Sequence, residues 1–69
     1  MKYGIAFFSN GEHPLTPGAI LVGWRQANGQ DEVWDDKDTA LYENDMGGWT
    51  GYVCEYPSGK FNYVGPGGK

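Results

Sequence analysis

Residues 33–56 read VWDDKDTALYENDMGGWTGYVCEY, and the succession of element types within them decides the fold. Val33-Trp34 closes a strand-like segment. Residues 35–46 are the one helix candidate of the chain. Asp35 can cap it, and Asp38 follows three residues later at capping-box spacing. Early carboxylates also suit the partial positive charge of a helix N-terminus. Gly47-Gly48 supplies a stop. Ala40, Leu41, Tyr42 and Met46 make no clean apolar stripe at a 3.6-residue period, so a loop is the alternative for this stretch. From Trp49 to Tyr56 the chain returns to strand. Tyr52, Cys54 and Tyr56 share one face of it, Val53 and Glu55 the other.

Upstream, residues 3–9 (YGIAFFS) predict a strand. Tyr3, Ile5 and Phe7 point one way, and Gly4, Ala6 and Phe8 the other. Asn10-Gly11 marks a turn, and the two prolines of residues 12–18 mark a loop. Residues 19–26 (AILVGWRQ) are the strongest strand. In it Ile20, Val22 and Trp24 alternate with Leu21, Gly23 and Arg25, and both faces are expected to be partly buried. Asn28-Gly29 carries hairpin chemistry, with residues 32–34 as the returning strand. Downstream, residues 57–60 predict a turn, residues 61–64 a last strand and residues 65–69 a flexible tail.

The expected order is β-β-β-α-β-β in one domain, residues 1–69. That order defines the α+β class: a small antiparallel sheet of about five short strands with one short helix. Strands this short can also curl, so a small barrel is the alternative. The strand-helix-strand unit of residues 33–56 is similar to units common in very small phage and bacterial proteins. Its residues are generic and define no family.

A chain of 69 residues buries only ~60% of its unfolded surface. Three Trp, five Tyr and three Phe supply bulk for a thin core, at ~150–250 Å² each. Twelve Gly and four Pro favour frequent reversals over long helices. The single Cys54 cannot form an internal disulfide, which excludes a disulfide scaffold. No run approaches the ~20 apolar residues of a membrane span, and no secretory signal is recognisable. A complete small cytoplasmic gene product is the expectation.

Charge is the feature that bears on function. Residues 31–45 hold seven of the nine carboxylates and one lysine, a formal charge of −6; four cations and two carboxylates elsewhere give +2. Such a local negative field attracts a basic partner and repels nucleic acid and anionic membrane. On a helix, Asp38 and Asp45 fall ~20° apart and two turns apart. That row resembles a track of phosphates. The expected partner-binding residues are Asp35, Asp36, Asp38, Glu43 and Asp45, with Trp34 and Trp49 as apolar anchors. The competing reading is a solvated helix face whose aspartates cap and solubilise.

Other chemistry finds little material. Counted from Glu32, Glu43 falls at the twelfth position of a calcium loop. However, Lys37 stands where that loop needs glycine, and Trp34 and Ala40 occupy ligand positions. One Cys and one His are too few for zinc. Cys54 lies within a strand, and nothing places it beside His13. Gly65-Pro66-Gly67-Gly68-Lys69 has no following helix to make a phosphate loop. Trp24, Trp49 and Tyr63 lack the basic groove of a base-stacking platform. Neither a cofactor nor a metal is expected, and neither is enzymatic activity.

The expected function is therefore a non-enzymatic protein-binding module. It is expected to be a small phage or mobile-element inhibitor docking its acidic face on a basic, nucleic-acid-binding surface of a host protein. The alternative is a small structural subunit or homodimer assembled through strand edges.

Overall fold

The computed structural model describes residues 2–48 and 51–57. Residues 58–60 of the expected turn, and the expected strand and tail of residues 61–69, lie outside the described residues, as does Trp49. The described elements are β1 (Lys2–Phe8), a 3-10 turn (Ser9–Gly11), β2 (Leu21–Trp24), β3 (Gln26–Ala27), β4 (Gln30–Asp31), β5 (Val33–Trp34), α1 (Lys37–Met46) and β6 (Tyr52–Tyr56). This is the expected α+β class. The described strands form an open antiparallel arrangement, not a closed barrel.

β1 is the centre of the sheet. β6 pairs along one of its edges, with Gly4 opposite Cys54, Ile5 opposite Val53 and Ala6 opposite Tyr52. Its other edge is shared end to end. β2 takes the C-terminal half (Ala6 opposite Trp24, Phe7 opposite Gly23) and β5 the N-terminal half (Tyr3 opposite Trp34, Gly4 opposite Val33). Arg25 bridges the two, its N–H donating to the Ile5 carbonyl at 2.8 Å. The chain from Leu21 to Trp34 thus runs once along β1 and leaves it midway as the small β3–β4 hairpin.

That arrangement corrects the expected hairpin. β2 and β5 are not partners. The Asn28-Gly29 turn, with φ of 56° and 79°, joins only Gln26–Ala27 to Gln30–Asp31. Both residues adopt the positive φ that a two-residue hairpin loop demands. The hairpin closes at its base where the Glu32 N–H donates to the Arg25 carbonyl at 3.0 Å. Beyond that point the returning chain finds its partners on β1.

A register shift between Phe7 and Phe8 leaves Val22 as the extra residue of a β-bulge. It also breaks the alternation expected for residues 19–26. Leu21 and Trp24 both reach the face of Ala6 and Phe8, while Ile20 and Val22 stay exposed.

Each face of β1 supports a small core. On one, Ile5, Val53 and Ala40 of α1 are fully buried, with Tyr3, Trp34 and Leu41 packed around them. On the other, Ala6, Phe8 and Cys54 are buried beneath Ala19, Leu21, Trp24 and Tyr52. The centres are small, and the aromatics shield them. The Trp24 ring meets Tyr56 edge to face at 4.9 Å between centroids, and His13 tilts against Tyr52 at 5.1 Å.

The helix expected at residues 35–46 starts two residues later, at Lys37. Its cap is Asp36, not Asp35: Asp36 Oδ2 accepts the Thr39 N–H at 2.9 Å and the Thr39 hydroxyl at 3.0 Å. Asp35 stands one residue too early to reach those groups. The indistinct apolar stripe has a cause as well. Ala40 and Asn44, one turn apart, are the buried helix positions. Asn44 is polar yet fully buried, and its Nδ2 donates to the Gly51 carbonyl at 3.0 Å. The side chain thereby ties α1 to the start of β6.

Gly4 is where the backbone of β1 and the Trp24 ring approach most closely. A Cβ there would lie 2.8 Å from Trp24 Cε3 and 3.2 Å from the Glu32 carbonyl. Gly23, on the neighbouring strand, faces open space. Gly4→Ala is expected to lower stability by about 1–3 kcal/mol through overpacking. Gly23→Ala is expected to stay within about 0.5 kcal/mol of the parent chain. Urea unfolding midpoints of the two variants check the contrast.

Candidate functional site

The acidic window divides into two populations. In the first, carboxylates are engaged by groups of the same chain. Asp35 Oδ1 lies 2.6 Å from Lys2 Nζ. Glu32 Oε1 accepts from Arg25 Nε at 2.6 Å. The same guanidinium reaches Glu43, its Nη2 lying 3.9 Å from the carboxylate and its Nη1 donating to the carbonyl at 3.4 Å. It also stands 5.9 Å from the ring centroid of Trp34. Asp31 accepts from Gln26 Nε2 at 3.0 Å and from the Tyr56 hydroxyl at 2.7 Å. Asp36 is the helix cap described above.

Lys2 and Arg25 both come from outside residues 31–45. Placing these two cations against the window reduces its formal charge from −6 to −4. Arg25 acts as a structural clasp: it joins β2, the base of the β3–β4 hairpin and the last turn of α1. A cation near the last helical carbonyls also suits the negative end of the helix dipole.

The second population is Asp38 and Asp45, both exposed. They do not stand alone. Tyr42 and Met46, with 59% and 68% of their surface accessible, lie on the same side of α1. At 3.6 residues per turn, Asp45, Asp38, Tyr42 and Met46 span an arc of about 100°, opposite the buried Ala40 and Asn44. Asp38 and Asp45 are separated by about 10 Å along the axis. The result is an outward strip in which Tyr42 lies between the two carboxylates along the axis and Met46 lies just past Asp45.

The sequence-derived candidates thus have different fates. Asp38 and Asp45 share the exposed strip. Asp35, Asp36 and Glu43 are occupied with structural partners. Trp34 is half-buried against the Ile5 cluster and beneath Arg25, and Trp49 is outside the described residues. Tyr42 and Met46 were missed as site residues, although their i, i+4 and i+8 spacing from Asp38 is visible in the sequence. The Arg25 clasp had no comparable signal, because its carboxylates lie 7 and 18 residues away.

Four acidities reflect this geometry. The Gln26 and Tyr56 hydrogen bonds hold the Asp31 carboxyl below the ordinary aspartate range. The Lys2 hydrogen bond and charge do the same for Asp35. Stability from either carboxylate is complete above the ordinary aspartate value and is lost as pH falls through the lowered one. Donating its hydroxyl to Asp31 raises Tyr56 above the ordinary tyrosine value, so its contribution persists until strongly alkaline pH. Burial pushes the Cys54 thiol up to about 12, which leaves it a packing group at neutral pH.

Among the described residues, no three His, Cys, Asp or Glu side chains converge as a metal site. No described helix is long and apolar enough to cross a membrane. No family model, curated protein or solved structure matches this chain.

Two measurements check the site chemistry. Tyr56→Phe removes one of the two donors to Asp31. The Asp31 carboxyl, followed by carbon NMR through an acid titration, is expected to titrate at higher pH than in the parent. Cys54 is expected to resist alkylation by iodoacetamide at pH 8 in the folded chain and to react fully in urea, as read by mass spectrometry.

Proposed function

We propose that this chain is a non-enzymatic protein-binding module that presents the outward strip of α1 to a basic surface of another protein. Asp38 and Asp45 supply the charge, and Tyr42 and Met46 supply apolar contact beside them. One observation carries the reading: four exposed side chains of these two chemistries fall on one side of a helix whose opposite side is anchored in the core. Interfaces favour this pairing of aromatic or Met contact with charge at the rim. Carboxylates spaced along a rigid helix also suit guanidinium groups that otherwise hold phosphates.

The partner in this reading is a nucleic-acid-handling protein of the host, and occupation of its basic groove makes the module an inhibitor. Such a module would be a phage or mobile-element product acting in the host cytoplasm. Asp35, Asp36 and Glu43 contribute indirectly, by holding α1 in place through Lys2, Thr39 and Arg25.

A partner is first cross-linked and purified from host lysate, then titrated with the chain at low and high salt. Association is expected to slow steeply as salt rises. The double variant Asp38→Asn/Asp45→Asn is expected to weaken binding at least tenfold, about 1.4 kcal/mol. Tyr42→Ala is expected to weaken it independently of salt. Asp35→Asn, which alters a carboxylate already facing Lys2, is expected to leave affinity almost unchanged. Equal affinity of the double variant and the parent overturns the reading.

A further inference from the structure

We infer that Asn28 is a site of spontaneous covalent modification, where the side-chain amide becomes a carboxylate through the main-chain nitrogen of Gly29. The inference is independent of the α1 docking strip, since Asn28 sits at the tip of the β3–β4 hairpin.

The chemistry is intrinsic to an Asn-Gly pair. The Gly29 nitrogen gives its proton to a base from solvent and attacks Asn28 Cγ. The new C–N bond closes a succinimide ring, the Cγ–Nδ2 bond breaks, and ammonia leaves with a proton from solvent. Water then opens the ring. Attack at Cγ restores the main chain and leaves aspartate. Attack at the main-chain carbonyl leaves isoaspartate, in which the chain runs through Cβ and Cγ. Glycine after the asparagine matters because it brings no Cβ to obstruct the closing ring.

Asn-Gly occurs at residues 10–11 and 28–29, and the fold separates two pairs that the sequence makes alike. All four residues are exposed, and both asparagines have a φ of 56°. Their surroundings differ. Asn10 lies in a turn fixed to the sheet. The Ser9 N–H donates to the Ile20 carbonyl at 2.8 Å, and the Glu12 N–H to the Ser9 carbonyl at 3.0 Å. The Ser9 hydroxyl accepts from the Ile20 N–H at 3.2 Å and donates to the Glu12 carboxylate at 3.3 Å. Phe8, just before this turn, is in the core and opposite Leu21 of β2. Rearranging the main chain at Asn10 therefore disturbs the junction of β1 and β2.

The Asn28 hairpin is a separate two-stranded ladder, pairing Ala27 with Gln30 and Gln26 with Asp31. Residues 26–30 are exposed. Both turn residues lie outside the ladder, so the Gly29 N–H is not one of its donors. A lone two-stranded ladder is marginal in water. Segments with exposed main-chain hydrogen bonds and few buried contacts open locally at low cost. The tip can thus reach the closing geometry while Arg25 and Glu32 hold the hairpin base. Asn44 is the opposite extreme: it is fully buried, and its Nδ2 donates to the Gly51 carbonyl.

The product changes the molecule in two ways. Either form adds one negative charge to a chain already at −4, on the strand-turn next to Asp31. Isoaspartate also lengthens a two-residue turn whose geometry needs positive φ at both positions. The hairpin of the isoaspartate form is expected to open and to lose the bond from Gln26 to Asp31.

The test follows the full chain at pH 8, folded and in urea, by peptide mass spectrometry at each asparagine. In urea, Asn10 and Asn28 are expected to convert at similar rates, because local sequence alone then acts. In the folded chain, Asn28 is expected to convert at least about tenfold faster than Asn10, and Asn44 to stay an amide. Gln26→Ala removes a bond across the hairpin and is expected to speed Asn28 without changing Asn10. Ser9→Ala is expected to speed Asn10 alone. Equal rates at Asn10 and Asn28 in the folded chain overturn the inference. So does faster conversion at Asn10, or an Asn28 that reacts only in urea.

Discussion

β1 is in demand on all four sides at once. Its seven residues pair along both edges, and its side chains are buried on both faces. Among the described strands, no other pairs along both of its edges. The demand explains its composition. Gly4 leaves room for the Trp24 ring, Ala6 sits fully buried beneath the aromatics, and Ile5 fills the contact with α1. A larger residue at Gly4 would push Trp24 away from Tyr56, and a polar one at Ile5 would be buried without a partner. The surrounding aromatics act as a rim over these small centres, and several remain half-buried.

The distribution of charge follows from the same geometry. Because β2 and β5 share one edge of β1, Arg25 stands where the β3–β4 hairpin leaves the sheet and beside the end of α1. From there it reaches Glu32, Glu43 and Trp34 together. Lys2, at the start of β1, is close enough to Asp35 for an ion pair. The carboxylates nearest the sheet are thereby absorbed into the structure. Those on the far side of α1 remain for solvent or a partner. A negative run of fifteen residues becomes a strip of two carboxylates with an aromatic ring and a thioether beside them, which is a more specific surface than charge alone.

Much of the architecture was legible in the residues. Alternation gave β1 and β6 their faces, since neither strand is interrupted and burial on both sides leaves the pattern intact. Asn28-Gly29 announced a tight hairpin because those two residues accept positive φ. The Gly47-Gly48 stop lay where the helix ends. The cap was misplaced by one residue, since Asp35 and Asp36 offer the same chemistry and the reach to Thr39 distinguishes them. The helix stripe was obscured because Asn44, polar by type, takes a core position through its bond to Gly51.

Properties set by near neighbours could be read from the residues: element types, the faces of uninterrupted strands, the turn, and the concentration of negative charge. Which strands meet, that β2 carries a bulge, and which carboxylates are neutralised follow from the folded arrangement. Strand partnership depends on main-chain groups that are the same in every residue, so competing pairings look alike in sequence. Ion pairing depends on distances across the fold, and only the closed sheet-and-helix packing brings Lys2 and Arg25 to their acids while leaving Asp38 and Asp45 facing outward.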